Sequence, residues 1–359
     1  IPYRSLLSNV LFAIEVMPKI NNKSNVVSML PSAHMYGMMF EFLFEMAVGA
    51  HVHFLTRIPS PRIIMEAFAT VKPDVIISVP LIIEKIYKSK VKPVIETSGM
   101  RFALKLPILE QVIMNKIKTE LVNAFGGEFY EVIIGGAAFN KEVEAFFKKM
   151  EFPFTVGYGM TECAPIITYD DYKTAKLYSC GKIVPNMEMK IDSPDPQNIP
   201  GELLVKGANV FLGYYKNEDA TREVLDADGW LHTGDMGVID ADGYLFLRGR
   251  SKCMILGPSG QNIYPEEVEA VLDTRPYVLE SLVIEDNGGL TALIYPDFDT
   301  AAKEGMDQAT FIKFIEDTLP EVNKELPNYA KLKKIEVMSE AFERTPKKSI
   351  KRYLYQRNN

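Results

Sequence analysis

The sequence predicts an α/β protein in three parts: a parallel-sheet α/β region to about residue 178, a β-rich region over residues 179–250, and a small α+β domain over residues 251–359. Three observations predict this division. Short apolar runs alternate with helical stretches from residue 24 to about 156, which is typical of parallel strands joined by crossover helices. After residue 178, turn signals separate short alternating strands. A new helix start follows near residue 264.

The first region contains five predicted strands, at residues 26–30, 52–55, 75–79, 131–134 and 154–157. Each is a short run rich in apolar or β-branched residues. Between the last two strands, Asn140 is a good N-cap for a helix whose Val143, Phe146 and Phe147 share one face. The segment therefore predicts a compact unit of strand, glycine-rich turn, helix and strand.

The β-rich region is divided by three turn pairs, Pro200-Gly201, Asp228-Gly229 and Asp242-Gly243. The last part begins where Pro265 occupies a first helical position and two glutamates follow it, which favours a helix start. Its predicted helices are residues 266–272 and 308–319, and its predicted strands are residues 281–285, 290–295 and 334–337.

Composition excludes several functional classes. Forty Lys and Arg residues against 47 Asp and Glu residues give a net charge of −7, so the sequence predicts no nucleic-acid partner. Three cysteines are too few for a disulfide framework or a metal knuckle, which favours a reducing, cytoplasmic location. No apolar run is long enough to predict a transmembrane helix, whereas peripheral membrane contact stays open.

The glycine-rich turn after the strand at 131–134 is the first candidate site. Small residues there allow the backbone amides to approach a ligand. The alternative is a structural turn that needs a positive φ. The turn consists of Gly135, Gly136, Ala137 and Ala138.

A second candidate follows the strand at 154–157. Tyr158 could stack on a base, while Thr161 and Glu162 could contact a phosphate and its magnesium ion. Further along, Asp235 lies in a glycine-flanked turn and suits the two hydroxyls of a ribose, with Arg250 fifteen residues later. The alternatives are a turn with a surface glutamate, a hairpin with a solvent-facing aspartate, and a surface arginine.

Taken together, the order and spacing of these motifs resemble the nucleotide-binding motifs of the adenylate-forming superfamily, which includes acyl-CoA synthetases, peptide-synthetase adenylation domains and luciferases. Residues 228–237 are similar to the signature of fatty acyl-CoA synthetases, and residues 31–37 to the aromatic-rich motif that borders the acyl pocket. Residues 201–203 and 213–215 add a further match. The resemblance implies ATP-dependent conversion of a fatty, long-chain acid to an acyl adenylate and then to acyl-CoA.

The resemblance also assigns roles by position. Tyr158 would stack on adenine, Thr161 would contact the α-phosphate, Glu162 would bind Mg²⁺, and Asp235 and Arg250 would contact the ribose. Lys252 would be the hinge between the late part of a large domain, residues 1–250, and a mobile C-terminal domain. The remaining residues implied at the nucleotide and acyl sites are Gly135, Gly136, Ala137, Ala138, Gly159, Met160, His34, Tyr36 and Gly37. For His34, a buried packing role stays open.

Two departures from the family pattern keep alternatives open. Ser349 stands where relatives carry a lysine that stabilises charge during adenylation, so Lys348 and Lys351 are both candidates for that role. The family's phosphate loop is not found, and the chain begins at Ile1 without a methionine. We therefore expect a fragment of a larger synthetase that is impaired in adenylation. The alternatives are an acyl-AMP ligase, an aryl or medium-chain ligase, or a non-catalytic binding module.

Overall fold

The computed structural model describes residues 1–57, 59–257, 261–344 and 350–357. The chain divides into two compact units, the first comprising residues 1–233 and 237–247, the second residues 234–236 and 248–359. Parallel sheets, antiparallel sheets and a C-terminal α+β region are all present, which confirms the predicted fold class.

Seventeen strands lie in the described parts of the chain. They are β1 (Asn25–Ser28), β2 (His51–Phe54), β3 (Val75–Ser78), β4 (Glu131–Ile134), β5 (Phe154–Val156), β6 (Tyr158–Gly159), β7 (Ile166–Tyr169), β8 (Lys182–Ile183), β9 (Met187–Asp192), β10 (Gly201–Gly207), β11 (Leu231–Ile239), β12 (Leu245–Arg250), β13 (Ile255–Leu256), β14 (Asn262–Ile263), β15 (Val278–Asp286), β16 (Gly289–Pro296) and β17 (Leu332–Val337).

Fourteen α-helices are described. They are α1 (Tyr3–Val16), α2 (Met35–Met38), α3 (Phe44–Val48), α4 (Pro61–Val71), α5 (Pro80–Ile86), α6 (Lys92–Ile95), α7 (Ser98–Ala103), α8 (Pro107–Ala124), α9 (Lys141–Lys149), α10 (Glu218–Val224), α11 (Pro265–Leu272), α12 (Phe298–Lys303), α13 (Gln308–Glu316) and α14 (Leu319–Glu325). Over the described residues, no helix has the length and apolar character needed to cross a bilayer.

The parallel strands of the first unit form its α/β layer. β3, β4 and β5 pair in that order with parallel register, and β1 pairs with β2 in the same sense. Every residue of β3 and β4 is buried, as expected for strands covered on both faces. The Asn140 side chain accepts hydrogen bonds from the amides of Glu142 and Val143, and so caps α9 as its sequence predicts.

Antiparallel strands follow in the chain. β6, β7 and β8 form one small sheet, and β9 to β12 form a second in the order β12-β11-β10-β9. The apolar side chains of these strands pack with α1 and with the region around α2 into one continuous core. Both the parallel and the antiparallel sheets of the first unit therefore have well-packed cores close to the candidate site.

The second unit contains a three-stranded sheet in which β15 pairs antiparallel with β16, and β16 pairs parallel with β17. Helices α11, α13 and α14 cover it, with Leu272, Phe311 and Ile315 fully buried or nearly so. The predicted helix over residues 308–319 is wrong in its last part. Pro320 lacks the amide that would continue a helix, so α13 ends at Glu316 and α14 begins at Leu319.

Candidate active site

A cavity in the first unit collects most of the residues that the sequence motifs single out. It lies beside the carboxyl ends of β3 and β4, where Ile77 and Ile133 face it. We call it the central cavity. Its lining consists of Phe12, Val16, Met17, His34, Met35, Tyr36, Phe40, Ile77, Ile133, Gly135, Gly136, Gly157, Tyr158, Gly159, Met160, Thr161, Pro165, Ile166 and Tyr169.

The glycine turn forms one part of the wall. Gly136 has a φ of +87°, so the turn does need the conformational freedom of glycine. At Gly135 a different constraint applies, because an added Cβ would lie 3.3 Å from Cζ of Tyr36 and 3.4 Å from the carbonyl oxygen of Gly157. The backbone of this turn is tightly packed and also borders the cavity. The turn can therefore be a structural turn and, at the same time, a place where backbone amides approach a ligand.

His34 and Tyr36 approach the cavity from the start of α2. His34 is the N-cap, and its Nδ1 accepts a hydrogen bond from the amide of Tyr36 at 3.4 Å. The Tyr36 hydroxyl donates to the carbonyl oxygen of Ile133 at 3.1 Å. Burial, together with the nearby carboxylates of Glu41 and Glu131, raises the pKa of Tyr36 above its usual range. Tyr36 therefore stays protonated and fixes α2 to the end of β4.

A short strand carries the aromatic residue of the second motif. Tyr158 and Gly159 form β6, which pairs with β7. A Cβ at Gly159 would lie 2.2 Å from the carbonyl oxygen of Pro165, a distance at which no side chain fits. The amide of Met160 donates to that same oxygen at 2.9 Å. Gly159 is thus required for a close backbone approach that holds Tyr158 and Thr161 on the cavity wall.

Glu162 lies next to Thr161 but is not part of the cavity lining. Its Oε1 accepts a hydrogen bond from the Tyr214 hydroxyl at 2.9 Å. Burial and this hydrogen bond raise the pKa of Tyr214 to about 12, so the donor keeps its proton at neutral pH. This contact, between residues 52 positions apart, holds the glutamate side chain in one orientation.

A buried carboxyl group lies behind the cavity. Tyr169, on the lining, donates its hydroxyl to Oε2 of Glu131 at 2.7 Å, and the amide of Tyr172 donates to Oε1 at 3.0 Å. Burial raises the pKa of Glu131 to about 7 despite these two donors. The pair was not among the predicted site residues, because nothing in a local sequence pattern relates position 131 to position 169.

The second unit contains Asp235 and Arg250. Nε of Arg250 lies 2.9 Å from Oδ1 of Asp235, which is almost fully buried, while the arginine is largely exposed. The two residues that the sequence assigned to a ribose are therefore paired. Lys252 lies in the short helical turn Ser251–Cys253, and Nζ of Lys351 lies 3.1 Å from Oε2 of Glu343. Lys348 and Ser349 lie outside the described residues.

Besides Glu162, three more predicted residues of the first unit are not part of the cavity lining. Ala137 and Ala138 follow the glycine turn on the way to α9, and Gly37 packs against Leu30, whose Cβ would lie 3.0 Å from an added methyl group. Their assignment to nucleotide or substrate binding stays a prediction. Conversely, Phe12 of α1 and Met17, the residue that follows α1, line the cavity although no motif includes them.

Comparison with known proteins identifies the family. The profile described as AMP-binding enzyme matches residues 1–215, more than half of the chain, and the profile described as AMP-binding enzyme C-terminal domain matches residues 254–358. The chain belongs to the AMP-binding enzyme family. The resemblance to adenylate-forming enzymes predicted from its motifs is confirmed.

Relatives of this AMP-binding enzyme act on different acids, according to their names. The long-chain-fatty-acid–CoA ligase ACSBG2 of Rattus norvegicus is 26% identical over 303 residues, 78% of this chain and 45% of the relative. The probable 4-coumarate–CoA ligase 1 of Dictyostelium discoideum is 32% identical over 267 residues, 72% of this chain and 43% of the relative. The chain thus spans less than half the length of these two relatives.

A solved structure shares the fold of this AMP-binding enzyme. The O-succinylbenzoate coenzyme A synthetase from Bacillus subtilis, in complex with ATP and magnesium ion, matches with a TM-score of 0.76 at 22% identity. The match covers 98% of this chain and 65% of the other. At this level of identity the likeness supports the architecture, and the substrate has to be argued from the site itself.

The donor set of the AMP-binding enzyme is compatible with magnesium bound through a nucleotide. Mg²⁺ is usually held by one or two carboxylates together with substrate phosphates and water. Glu162 offers one such carboxylate near the cavity. Among the described residues, no group of three or more His, Cys, Asp or Glu side chains could hold a metal ion without the nucleotide.

Proposed function

We propose that this chain carries the adenylate site of an AMP-forming acid–CoA ligase whose acid is a long-chain fatty acid. In the first step the carboxylate oxygen of the acid attacks the α-phosphorus of ATP, and pyrophosphate leaves. In the second step the thiol of coenzyme A, after losing its proton, attacks the acyl carbonyl carbon, and AMP leaves. The products are acyl-CoA, AMP and pyrophosphate.

One observation carries the proposal: the composition of the central cavity. The glycine turn, the short strand β6 and the ring of Tyr158 contribute to its lining. Most of the other lining residues have apolar side chains, among them Phe12, Met17 and Phe40. A flat aromatic base packs well against backbone and a tyrosine ring, whereas an alkyl chain gains most from apolar walls. An acyl adenylate combines both chemical parts in one molecule.

Further side chains suit the reaction. The Thr161 hydroxyl can donate to an α-phosphate oxygen on which charge grows during attack. Glu162, oriented by Tyr214, suits the magnesium ion that neutralises the phosphates. Asp235 pairs with Arg250, and a carboxylate can accept hydrogen bonds from both ribose hydroxyls.

The preference for an aliphatic acid over an aryl acid rests on the lining. The lining contains seven branched aliphatic or thioether side chains, which are Val16, Met17, Met35, Ile77, Ile133, Met160 and Ile166. An aryl-acid ligase is the second candidate, because relatives named for 4-coumarate and 2-succinylbenzoate also match the chain. The two candidates differ in the acyl part alone, so one series of ligands distinguishes them.

The test uses non-hydrolysable acyl-sulfamoyl adenosines, which mimic the adenylate and need no turnover. We expect the palmitoyl compound to bind this chain at least about tenfold more tightly than the 4-coumaroyl or acetyl compounds in calorimetry, because each buried methylene adds roughly 0.8 kcal/mol. Tighter binding of the 4-coumaroyl compound would indicate that the substrate is an aryl acid and not a fatty acid. Failure of all three, and of AMP, to bind would refute the proposal.

A second experiment addresses the non-catalytic alternative. Preformed palmitoyl adenylate and coenzyme A are mixed with the chain, and palmitoyl-CoA is measured by chromatography. We expect thioester formation above the uncatalysed rate, and a loss of at least about tenfold for Tyr158→Ala, since one base-stacking contact is worth roughly 1–3 kcal/mol. Tyr215→Ala, at a nearby exposed tyrosine outside the cavity, is the matched control. Adenylate binding without thioester formation would favour a binding module.

A further inference from the structure

The connection between β3 and β4 contains an exposed apolar surface. Over residues 85–112, which we call the crossover segment, six large apolar side chains are exposed, and five of these, all within residues 102–112, are each 43% to 83% exposed. These five are Phe102, Leu106, Ile108, Leu109 and Val112. Isolated exposed apolar residues are normal on a protein surface, but a concentration of five within eleven residues marks an interaction surface.

Local geometry brings these side chains together. The amides of Lys105 and Leu106 donate to the carbonyl oxygens of Phe102 and Ala103, each at 3.1 Å, which makes the link between α7 and α8 a tight turn. In α8, Ile108 and Val112 are four residues apart and Leu109 and Val112 three apart, so they share one helix face. We call these five side chains, which lie around the α7–α8 turn, the apolar patch.

The same segment is strongly basic in an acidic protein. It contains six Lys and Arg residues and two glutamates, a net charge of +4 in a chain whose total is −7. Both glutamates have a basic partner, since Glu96 lies 3.8 Å from Lys92 and Glu110 pairs with Lys149. Within the described residues, no carboxylate lies within 4 Å of the exposed cations, which are Lys85, Lys88, Lys90, Arg101 and Lys105.

We propose that the crossover segment docks this protein peripherally on an anionic phospholipid surface. The apolar patch would lie at the boundary between headgroups and acyl chains, and the surrounding lysines and Arg101 would contact the lipid phosphates. Two copies of the chain are a poorer occupant, because facing crossover segments would place two net positive charges against each other.

The position of the segment in the fold connects this surface to the cavity. α5 starts two residues after β3 ends, and Ile77 near the end of β3 lines the central cavity. Glu84 of α5 accepts a hydrogen bond from the amide of Asn140 at 3.0 Å, at the far end of the glycine-rich turn. The crossover segment therefore follows closely on the strand end of β3 that contributes to the cavity wall. The docking proposal does not depend on the proposed reaction.

Flotation with vesicles tests the proposal directly. We expect the chain to float with phosphatidylcholine vesicles that contain about one-third phosphatidylglycerol, and to stay at the bottom with pure phosphatidylcholine. Phe102→Ser, Ile108→Ser and Val112→Ser in combination are expected to reduce the partition coefficient at least about tenfold. Lys88→Gln, Lys90→Gln and Lys105→Gln in combination are expected to reduce it by roughly 100-fold, at about fivefold for each lost cation.

Control variants carry matched substitutions at other exposed positions. Leu212→Ser, Tyr215→Ser and Leu279→Ser in combination, and separately Lys313→Gln, Lys324→Gln and Lys331→Gln, should leave flotation within about twofold of the unsubstituted chain. Circular dichroism establishes that each variant is folded.

A fluorescence measurement reports the depth of contact. In a Trp230→Phe background, Phe102→Trp places the only indole on the patch. Its emission should shift to the blue on addition of anionic vesicles and be quenched by brominated lipids. Absence of flotation, flotation unaffected by either crossover combination, or no spectral shift would overturn the proposal. Concentration-dependent dimerisation that is abolished by the Phe102, Ile108 and Val112 substitutions, without vesicle binding, would assign the patch to a second copy instead.

Discussion

Glu45 provides the sharpest test of the buried electrostatics in the first unit. Its side chain is fully buried, and within the described residues neither carboxylate oxygen has a hydrogen-bond partner. The pKa of Glu45 is raised from 4.5 to about 8. Burial is the main cause, and the negative charges of Glu41 and Asp74 add to it. The folded protein therefore keeps this carboxyl group protonated at neutral pH.

The magnitude and sign follow from the two pKa values. One pH unit between them is worth about 1.4 kcal/mol, so ionisation of Glu45 in the folded state costs roughly 5 kcal/mol. Below pH 4.5 the folded and unfolded states both hold the proton and the effect vanishes. Between pH 4.5 and about 8 the unfolded chain loses its proton while the folded protein retains it, so stability falls as the pH rises.

Glu45→Met removes this titration, and it also removes two unpaired oxygens from a site of similar volume. We expect the variant to be more stable than the original chain by several kcal/mol at about pH 8.5 and by only about 1–2 kcal/mol at about pH 5. Urea unfolding followed by the fluorescence of Trp230, the only tryptophan and a residue of the first unit, measures both values.

Glu120→Met, at an exposed glutamate of α8, is the matched control and should show no difference between the two pH values. Comparing the variant with the original chain at each pH cancels the contribution of buried carboxyl groups that do not interact with Glu45, such as Glu144, whose pKa burial raises to about 7. A gain for Glu45→Met that is equal at both pH values, or a loss at both, would refute the reasoning.

Three further predictions concern the site and its supports. Asp235→Asn should weaken AMP binding at least about tenfold in calorimetry, because an amide that no longer pairs with Arg250 is a poorer acceptor for ribose hydroxyls. Gly159→Ala should destabilise the first unit by about 1–3 kcal/mol in urea and weaken AMP binding, since the methyl group meets the Pro165 carbonyl oxygen at 2.2 Å. Asn140→Ala should cost about 1 kcal/mol of stability through loss of the α9 cap.

Matched controls belong to two of these predictions. Asp228→Asn, at an exposed aspartate before β11, should leave AMP affinity unchanged. Gly99→Ala, where nothing lies within 4 Å of an added Cβ, should leave stability unchanged or raise it slightly within α7. Equal losses for Gly159→Ala and Gly99→Ala would show that glycine replacement in general, and not the contact with Pro165, is responsible.

Much of the parallel sheet could be predicted because its strands are short apolar runs with clear turn residues between them. The five predicted strands of the first region all occur, and each end lies within two residues of its predicted position. α1 gave no such signal. Pro2 provides no side-chain cap, the first turn has no acidic residue and the last has no basic one, so the usual boundary signals are missing.

The residues of the candidate site could be predicted where they are neighbours in the sequence. They could not be predicted where the chain brings distant segments together. The run from Tyr158 to Thr161 reads as a motif because a single turn presents it to the cavity. The contributions of Phe12 and Tyr169, by contrast, depend on packing between segments more than a hundred residues apart. The local sequence pattern does not indicate a contact between such distant segments, so these two lining residues could be identified only from the folded structure.

The basic character of the crossover segment also has a practical consequence for handling the protein. A chain with a net charge of −7 is expected to pass a sulfonate cation exchanger at neutral pH. The resin interacts most strongly with the charges nearest to it. The net charge of +4 on residues 85–112 should therefore retain the protein on such a resin at low ionic strength. The same molecule should bind an anion exchanger through its other faces, so its elution order cannot be read from total charge.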